Sequence, residues 1–280
     1  ILICLSCLSF LKSVMYVTLL TSWFFYKQFL KDNMIFLSKF KSNSRFDCLI
    51  CFRFSMKYCI SILLIVFSSV LLAKESTCYG TSSNGRLENA VELPWSGNNF
   101  VGYSLIARSL GRTYVHSSVR DIVLDAYKML ETEQPNKVFK YAETGFKEGG
   151  QFKPHKTHRN GPSVDFMTPV VDESGQSVHL PTNPLNKFGY NIEFNKESQF
   201  DDYSIDYEAL GAHIVALHKA AITRNIKIWR VIFDPQLQPQ LLKTQYGAYI
   251  KKHITLSSKR SWVRHDEHYH VDFIVKCKPL

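Results

Sequence analysis

Five histidines stand in two short segments: His155 and His158 in PHKTHRNGPSVDF, and His265, His268 and His270 in WVRHDEHYHVDFIV. Neutral imidazole and carboxylate are good donors to Zn²⁺, and metal sites draw their ligands from such clusters. Along a strand, residues two apart share a face. His268, His270 and Asp272 therefore point one way, and Tyr269, Val271, Phe273 and Val275 the other. The second set is an apolar face made for a core. The first is polar and costly to bury without partners or a metal. The same alternation sends Val164 and Phe166 into a core and Asp165 to the opposite side. His158 on a loop, Asp165 on one strand and His270 on another can thus converge. Three protein ligands leave a fourth tetrahedral position for water, as in a catalytic zinc site. An H-x-H pair alone also suits two surface histidines, and His155 with His158 suits a polar loop. At this level both readings stand.

Recognisable elements carry these residues. Ser117 or Ser118 can cap a helix to about Glu133, whose apolar positions from Val119 to Leu130 make one face. Val138 to Ala142 reads as a strand, Gly145 to Gly161 as a loop centred on Gly149-Gly150, and Val164 to Met167 as a short strand. Ser204 or Asp206 can cap a second helix to about Arg224. Ile226 to Phe233 is the strongest strand, and Asp234-Pro235 ends it ahead of a helix from Gln238 to His253. Tyr269 to Lys276 is the last strand. Gly80 to Gly111 reads as an irregular wrap. Helices and strands mix without a βαβ rhythm, which predicts an α+β fold with an antiparallel sheet. His213 and His218 are expected to be packing or surface groups, His179 and His253 solvent-facing, and Trp229 and Trp262 core aromatics.

The chain of 280 residues divides near residue 73. Residues 1–73 carry eight Lys/Arg and two Asp/Glu, so more than half of the formal net charge of +10 lies there and 74–280 carries a net of +4. Lys and Arg are scattered through 74–280 without a dense basic-aromatic stripe, which argues against a nucleic-acid partner. Met56-Lys57-Tyr58 followed by CISILLIVFSSVLLA reads as a secretory signal peptide over 56–73, too short for a stable membrane span. Residues 1–55 read as upstream translation or an apolar extension, and 74–280 as one domain. The C-x-x-C pairs Cys4/Cys7 and Cys48/Cys51 sit in an apolar setting and are set aside as zinc sites. Export leaves a Cys78–Cys277 disulfide open as a possibility.

Longer blocks around the histidines sharpen the picture. They are Asn84-Gly85, RTYVH from Arg112 to His116, Gly149-Gly150 leading into HKTHRNGPSVD, and WVRHDEHYHV. With these the chain resembles the penicillin-insensitive murein endopeptidases over most of 80–276. These are zinc peptidases of the superfamily that also holds lysostaphin-type enzymes, D-Ala-D-Ala metallopeptidases and the hedgehog fold. The resemblance implies that His158, Asp165 and His270 bind Zn²⁺, that His268 acts in proton transfer or stabilises the transition state, and that His155 and His265 line the site. It implies a small antiparallel sheet carrying the zinc site, flanked by helices. The implied substrate is peptidoglycan, at the D-alanyl–meso-diaminopimelyl cross-link between stem peptides, hydrolysed by metal-activated water. A periplasmic wall enzyme agrees with the signal peptide.

The chain departs from the family pattern at three places. G-L-D-V-D becomes Gly161-Pro162-Ser163-Val164-Asp165, losing an acidic group beside the metal strand. N-G-C becomes Asn84-Gly85-Arg86, losing a cysteine. H-V-R becomes His270-Val271-Asp272, so a positive group on the site face becomes negative, and weaker binding of substrate carboxylates is expected. A D-Ala-D-Ala carboxypeptidase or dipeptidase on the same scaffold, or a non-catalytic zinc module that binds wall, are the competing functions.

Overall fold

The computed structural model describes residues 74–259 and 263–280, which belong to one compact unit. The expected signal peptide, the C-x-x-C pairs and Trp262 lie outside the described residues. Along the chain come β1 (Thr77–Thr81), β2 (Asn84–Glu88), β3 (Val91–Glu92), β4 (Phe100–Gly102), α1 (Leu105–Ser109), β5 (Tyr114–Val115), α2 (Ser117–Glu133), β6 (Phe139–Tyr141) and β7 (Ser163–Met167). Then follow β8 (Val170–Val171), β9 (Ser177–Val178), a 3₁₀ segment (Pro184–Gly189), β10 (Gln199–Phe200), β11 (Tyr203–Ile205), α3 (Tyr207–Thr223), β12 (Lys227–Ile232), α4 (Gln238–Leu241), α5 (Gly247–His253) and β13 (His268–Ile274). The fold is mixed α and β with small sheets. The main one has five strands in the order β12-β13-β7-β6-β4. It is antiparallel except for the pair β4–β6, which is parallel.

The central pair fixes the rest. His270 lies opposite Asp165, Tyr269 opposite Phe166, and Asp272 opposite Ser163. One face of these strands carries Val164, Phe166, Tyr269, Val271 and Phe273, all buried in the main core. Helices α2 and α3 belong to that core: the His213 ring on α3 stacks on Tyr127 of α2 at 5.1 Å and meets Phe166 edge-on at 4.7 Å. The buried Tyr269 hydroxyl pairs with His213 Nδ1, giving both polar groups a partner inside apolar surroundings. Asp206 caps α3 by accepting from the Ala209 N–H at 3.0 Å. The cap of α2 is His116, whose Nδ1 accepts from the Ser118 N–H at 3.2 Å, rather than either serine.

Three further expectations need correction. The helix expected over 238–253 is two short ones, α4 and α5. Thr244 Oγ1 donates to the Leu241 carbonyl at 2.7 Å, and such side-chain bonds compete with the helical ladder. Trp229 is half-exposed, not a core residue. A register shift between Ile228 and Arg230 breaks the alternation that would have buried it. The irregular wrap over 80–111 is built of short strands and α1. Cys78 and Cys277 are joined by a disulfide, 199 residues apart in sequence. No helix among the described residues is long and apolar enough to cross a membrane.

Candidate metal centre and active site

The second face of the central strands carries Asp165, His268, His270 and Asp272, all buried. Loops bring in His155 and His158 from one side and His265 from the other. The first loop is fastened by its glycines. Gly149 has φ +69°, and a Cβ there would lie 2.3 Å from the Arg159 carbonyl oxygen. Gly150 N–H donates to that same carbonyl at 2.8 Å. Only glycine lets the backbone pack this closely in a left-handed conformation. His158 itself has φ +66° and His265 φ +60°, sparsely populated conformations that persist where surrounding structure fixes them.

Asp165 is the hub. Its Oδ1 lies 3.2 Å from His158 Nε2 and 2.8 Å from His270 Nδ1. Its Oδ2 accepts from the Tyr190 hydroxyl at 3.3 Å, and lies 3.8 Å from His155 Nδ1 and 3.9 Å from His268 Nε2. Burial pushes the Asp165 carboxyl up, but the surrounding imidazoles outweigh it and hold the group well below the usual carboxylate range. One potential ligand atom from each of His155, His158 and Asp165 falls within 4.8 Å of the others, a grouping that can hold a metal ion. His270 shares the site through its contact with Asp165.

Four of the five imidazoles have a backing partner. His158 Nδ1–H donates to the Thr144 carbonyl at 2.9 Å. His155 Nε2 contacts Glu143, which also accepts from Arg112 Nε, and from the Tyr103 hydroxyl at 2.9 Å. Burial pushes Glu143 up, yet His155 and Arg112 draw it down to about 2. His268 Nδ1 bonds Glu267 Oε1 at 2.7 Å, and burial lowers this histidine to about 4. His265 Nδ1–H donates to the Val263 carbonyl at 3.0 Å, and burial with the nearby His268 lowers it to about 3. The His265 and His268 rings are 4.6 Å apart, and the Tyr190 ring covers His268 at 4.7 Å.

These observations decide whether a cation fits. Burial holds His158 below its ordinary value. With its proton on Nδ1, Nε2 is a bare lone pair, buried and without a hydrogen-bond partner, facing an ionised carboxylate 3.2 Å away. Two acceptors so placed repel unless a positive centre lies between them. A backbone carbonyl on the far nitrogen is also the usual support of a metal-bound histidine. The donor set therefore fits a divalent metal.

The structure thus brings together all six histidine and aspartate residues named from the sequence. It adds Glu143, Glu267 and Tyr190, which sequence reasoning missed. Glu267 sits inside the HDEHYH block and alternation alone would have set it on the far side from His268. Glu143 lies two residues after β6, and its partners Tyr103, Arg112 and His155 come from other segments. Tyr190 has no local signal. The three departures also take shape. Arg86 pairs with Glu88 and covers the Tyr79 ring. Ser163 and Asp272 face each other across the strands and bond, at 2.6 Å. The negative charge at 272 is met by Arg230, whose Nε donates to Asp272 Oδ2 at 2.8 Å. The site face therefore does not gain an uncompensated negative charge.

A family model described as penicillin-insensitive murein endopeptidase matches residues 78–279. No curated protein matches the sequence.

Proposed function

Since the chain belongs to the penicillin-insensitive murein endopeptidase family, we propose that it is a zinc-dependent endopeptidase cutting the D-alanyl–meso-diaminopimelyl cross-link of peptidoglycan. The observation that carries the metal dependence is the bare Nε2 of buried His158 against the Asp165 carboxylate. His158, Asp165 and His270 are the proposed ligands. His270 is favoured over His155 as third ligand because it is buried on a central strand, directly opposite Asp165. His155 lies on a loop and is only partly buried, with its Nδ1 3.8 Å from Asp165 Oδ2. A zinc ion bound there supplies a Lewis acid for the scissile carbonyl and acidifies water.

The chain's own residues do the rest. His268, with Nδ1 held by Glu267, turns Nε2 toward Asp165 and the metal site. Neutral at ordinary pH, it can take a proton at Nε2 and return it to the leaving amine. Glu267 fixes which nitrogen is free. The Tyr190 hydroxyl and His265 bound the cleft beside it and orient the peptide. Export through residues 56–73 to the periplasm, with 74–280 as the peptidase domain, belongs to the same reading. The hedgehog-like arrangement, an antiparallel sheet bearing zinc, does too.

The test is a digest of cross-linked diaminopimelate-type muropeptides with Zn²⁺-loaded protein, with and without chelator, read by mass. Chelator-sensitive conversion of dimers to monomers is expected. Loss of terminal D-Ala with dimers intact would replace the reading by a carboxypeptidase. Binding without cleavage would make the chain a wall-binding module. His155→Ala and His270→Ala, compared for metal content, decide the third ligand; retention of metal by His270→Ala alone would transfer the role to His155.

A further inference from the structure

Beside the row of residues that meets at Asp165 runs a second, parallel row. Asp272 follows His270 by two residues on β13 and so shares its face. Its register partners are Ser163 on β7 and Arg230 on β12. Ser163 Oγ–H donates to Asp272 Oδ1 at 2.6 Å, and Arg230 Nε–H donates to Oδ2 at 2.8 Å. Arg230 is itself seated, with its guanidinium carbon 4.3 Å from the centre of the Trp229 ring. Both carboxylate oxygens are therefore fixed from neighbouring strands. Oδ1 lies 2.9 Å from His270 Nε2. The two atoms are in contact without forming a hydrogen bond, and Nε2 is buried with no hydrogen-bond partner. His270 thus sits between two carboxylates, with Nε2 toward Asp272 and Nδ1 toward Asp165 at 2.8 Å.

We infer that Asp272, clamped by Ser163 and Arg230, is the positioning residue for His270: it holds the Nε2 proton so that Nδ1 presents its lone pair to the metal. The inference rests on the proposed ligand set. A carboxylate behind a metal-bound imidazole fixes its tautomer and ring orientation and raises its basicity. A metal held at Nδ1 would require the proton on Nε2, and Asp272 is the carboxylate within reach of that nitrogen. Residues 163, 230 and 272 act as one unit. Asp272 without Arg230 would be a poorly compensated buried charge, and Ser163 supplies the hydroxyl that orients the oxygen facing the ring.

The experiment is a titration of the metal-free protein with Zn²⁺ and with Co²⁺, reading affinity and the visible Co²⁺ bands, alongside melting of the metal-free form. Asp272→Asn is expected to bind both metals about 10- to 100-fold more weakly and to shift the Co²⁺ bands. Ser163→Ala and Arg230→Gln each remove one clamp and are expected to weaken binding about fivefold. If Asp272→Asn melts lower yet binds metal as the unaltered protein does, its role is structural only and the inference falls. If Asp272→Asn does not fold, the two clamp variants decide, and unchanged affinity in both overturns it. If the unaltered protein binds neither metal, the ligand set itself fails and the inference with it. Normal binding in the unaltered protein that is lost in His270→Ala but kept in Asp272→Asn overturns the inference alone.

Discussion

The two faces of β7 and β13 are made from the same residues taken alternately, and they solve opposite problems. Val164, Phe166, Tyr269, Val271 and Phe273 face the helices, where burial of apolar area stabilises the fold by about 25 cal/mol per Å². Asp165, His268, His270 and Asp272 are buried as fully, but each is a group whose burial costs several kcal/mol unless it is paired. The core face gains by excluding water and needs no directional partner. The site face holds together only through directional partners, and nearly every imidazole on it has a backing group. The core thus secures a strand position, and the site uses that rigidity to keep charged groups out of water.

Substitutions on the two faces should therefore separate affinity from stability. Asp165→Ala removes the carboxylate shared by the imidazoles. Metal binding should disappear and cleavage should fall by at least about 10³-fold; retained metal would break the contrast. Cys78→Ser should leave metal affinity untouched while costing roughly 5 kcal/mol, the chain-entropy value for so long a loop, read by denaturant unfolding. Phe166→Ala, one residue from Asp165 but on the other face, should cost about 3–5 kcal/mol of stability. Its metal affinity at low temperature should match the unaltered protein, and a large loss would show the faces to be coupled. Glu267→Gln keeps a hydrogen-bond partner for His268 but removes the carboxyl group. A loss of about 10²-fold in kcat is expected, with metal affinity unchanged.

The smallest effect concerns Lys140 on β6, which points to the same side of the sheet as Asp165. Its ammonium donates to the Leu180 carbonyl at 2.7 Å and to Thr182 Oγ1 at 2.9 Å, and burial lowers it to about 8. An unfolded lysine titrates near ~10.4. Between about 8 and 10 the unfolded chain thus binds more protons, and stability rises with pH. Lys140→Met should flatten the slope of Tm against pH across that window; an unaltered slope would assign it to other groups.

Period two makes both faces of β13 legible in the amino-acid order itself, because alternation is a local property of the chain. The same holds for Asp165 between Val164 and Phe166, and for helices α2 and α3 with their apolar faces. What local pattern could not supply was pairing between distant strands. Asp272 reads alone as a stray negative charge, and only the register with β12 sets Arg230 against it. The irregularity that exposes Trp229 lies at the same point, so the error about Trp229 and the surprise about Arg230 share one cause. Glu143 and Tyr190 reach the site from segments whose course depends on tertiary packing. The break between α4 and α5 is a turn of a few residues around Thr244, a detail too fine for a periodic pattern to carry.

The disulfide between Cys78 and Cys277 makes a covalent ring of everything between them, and every named site residue lies on that ring. Leu185 is 95 % exposed, in a segment that separates His158 and Asp165 from His268 and His270. A protease cutting there would place the two halves of the site on different polypeptides. They would still be one molecule, held by a bond at the ends and by the β7–β13 ladder between. Such a nicked form should migrate as a single species until reduced.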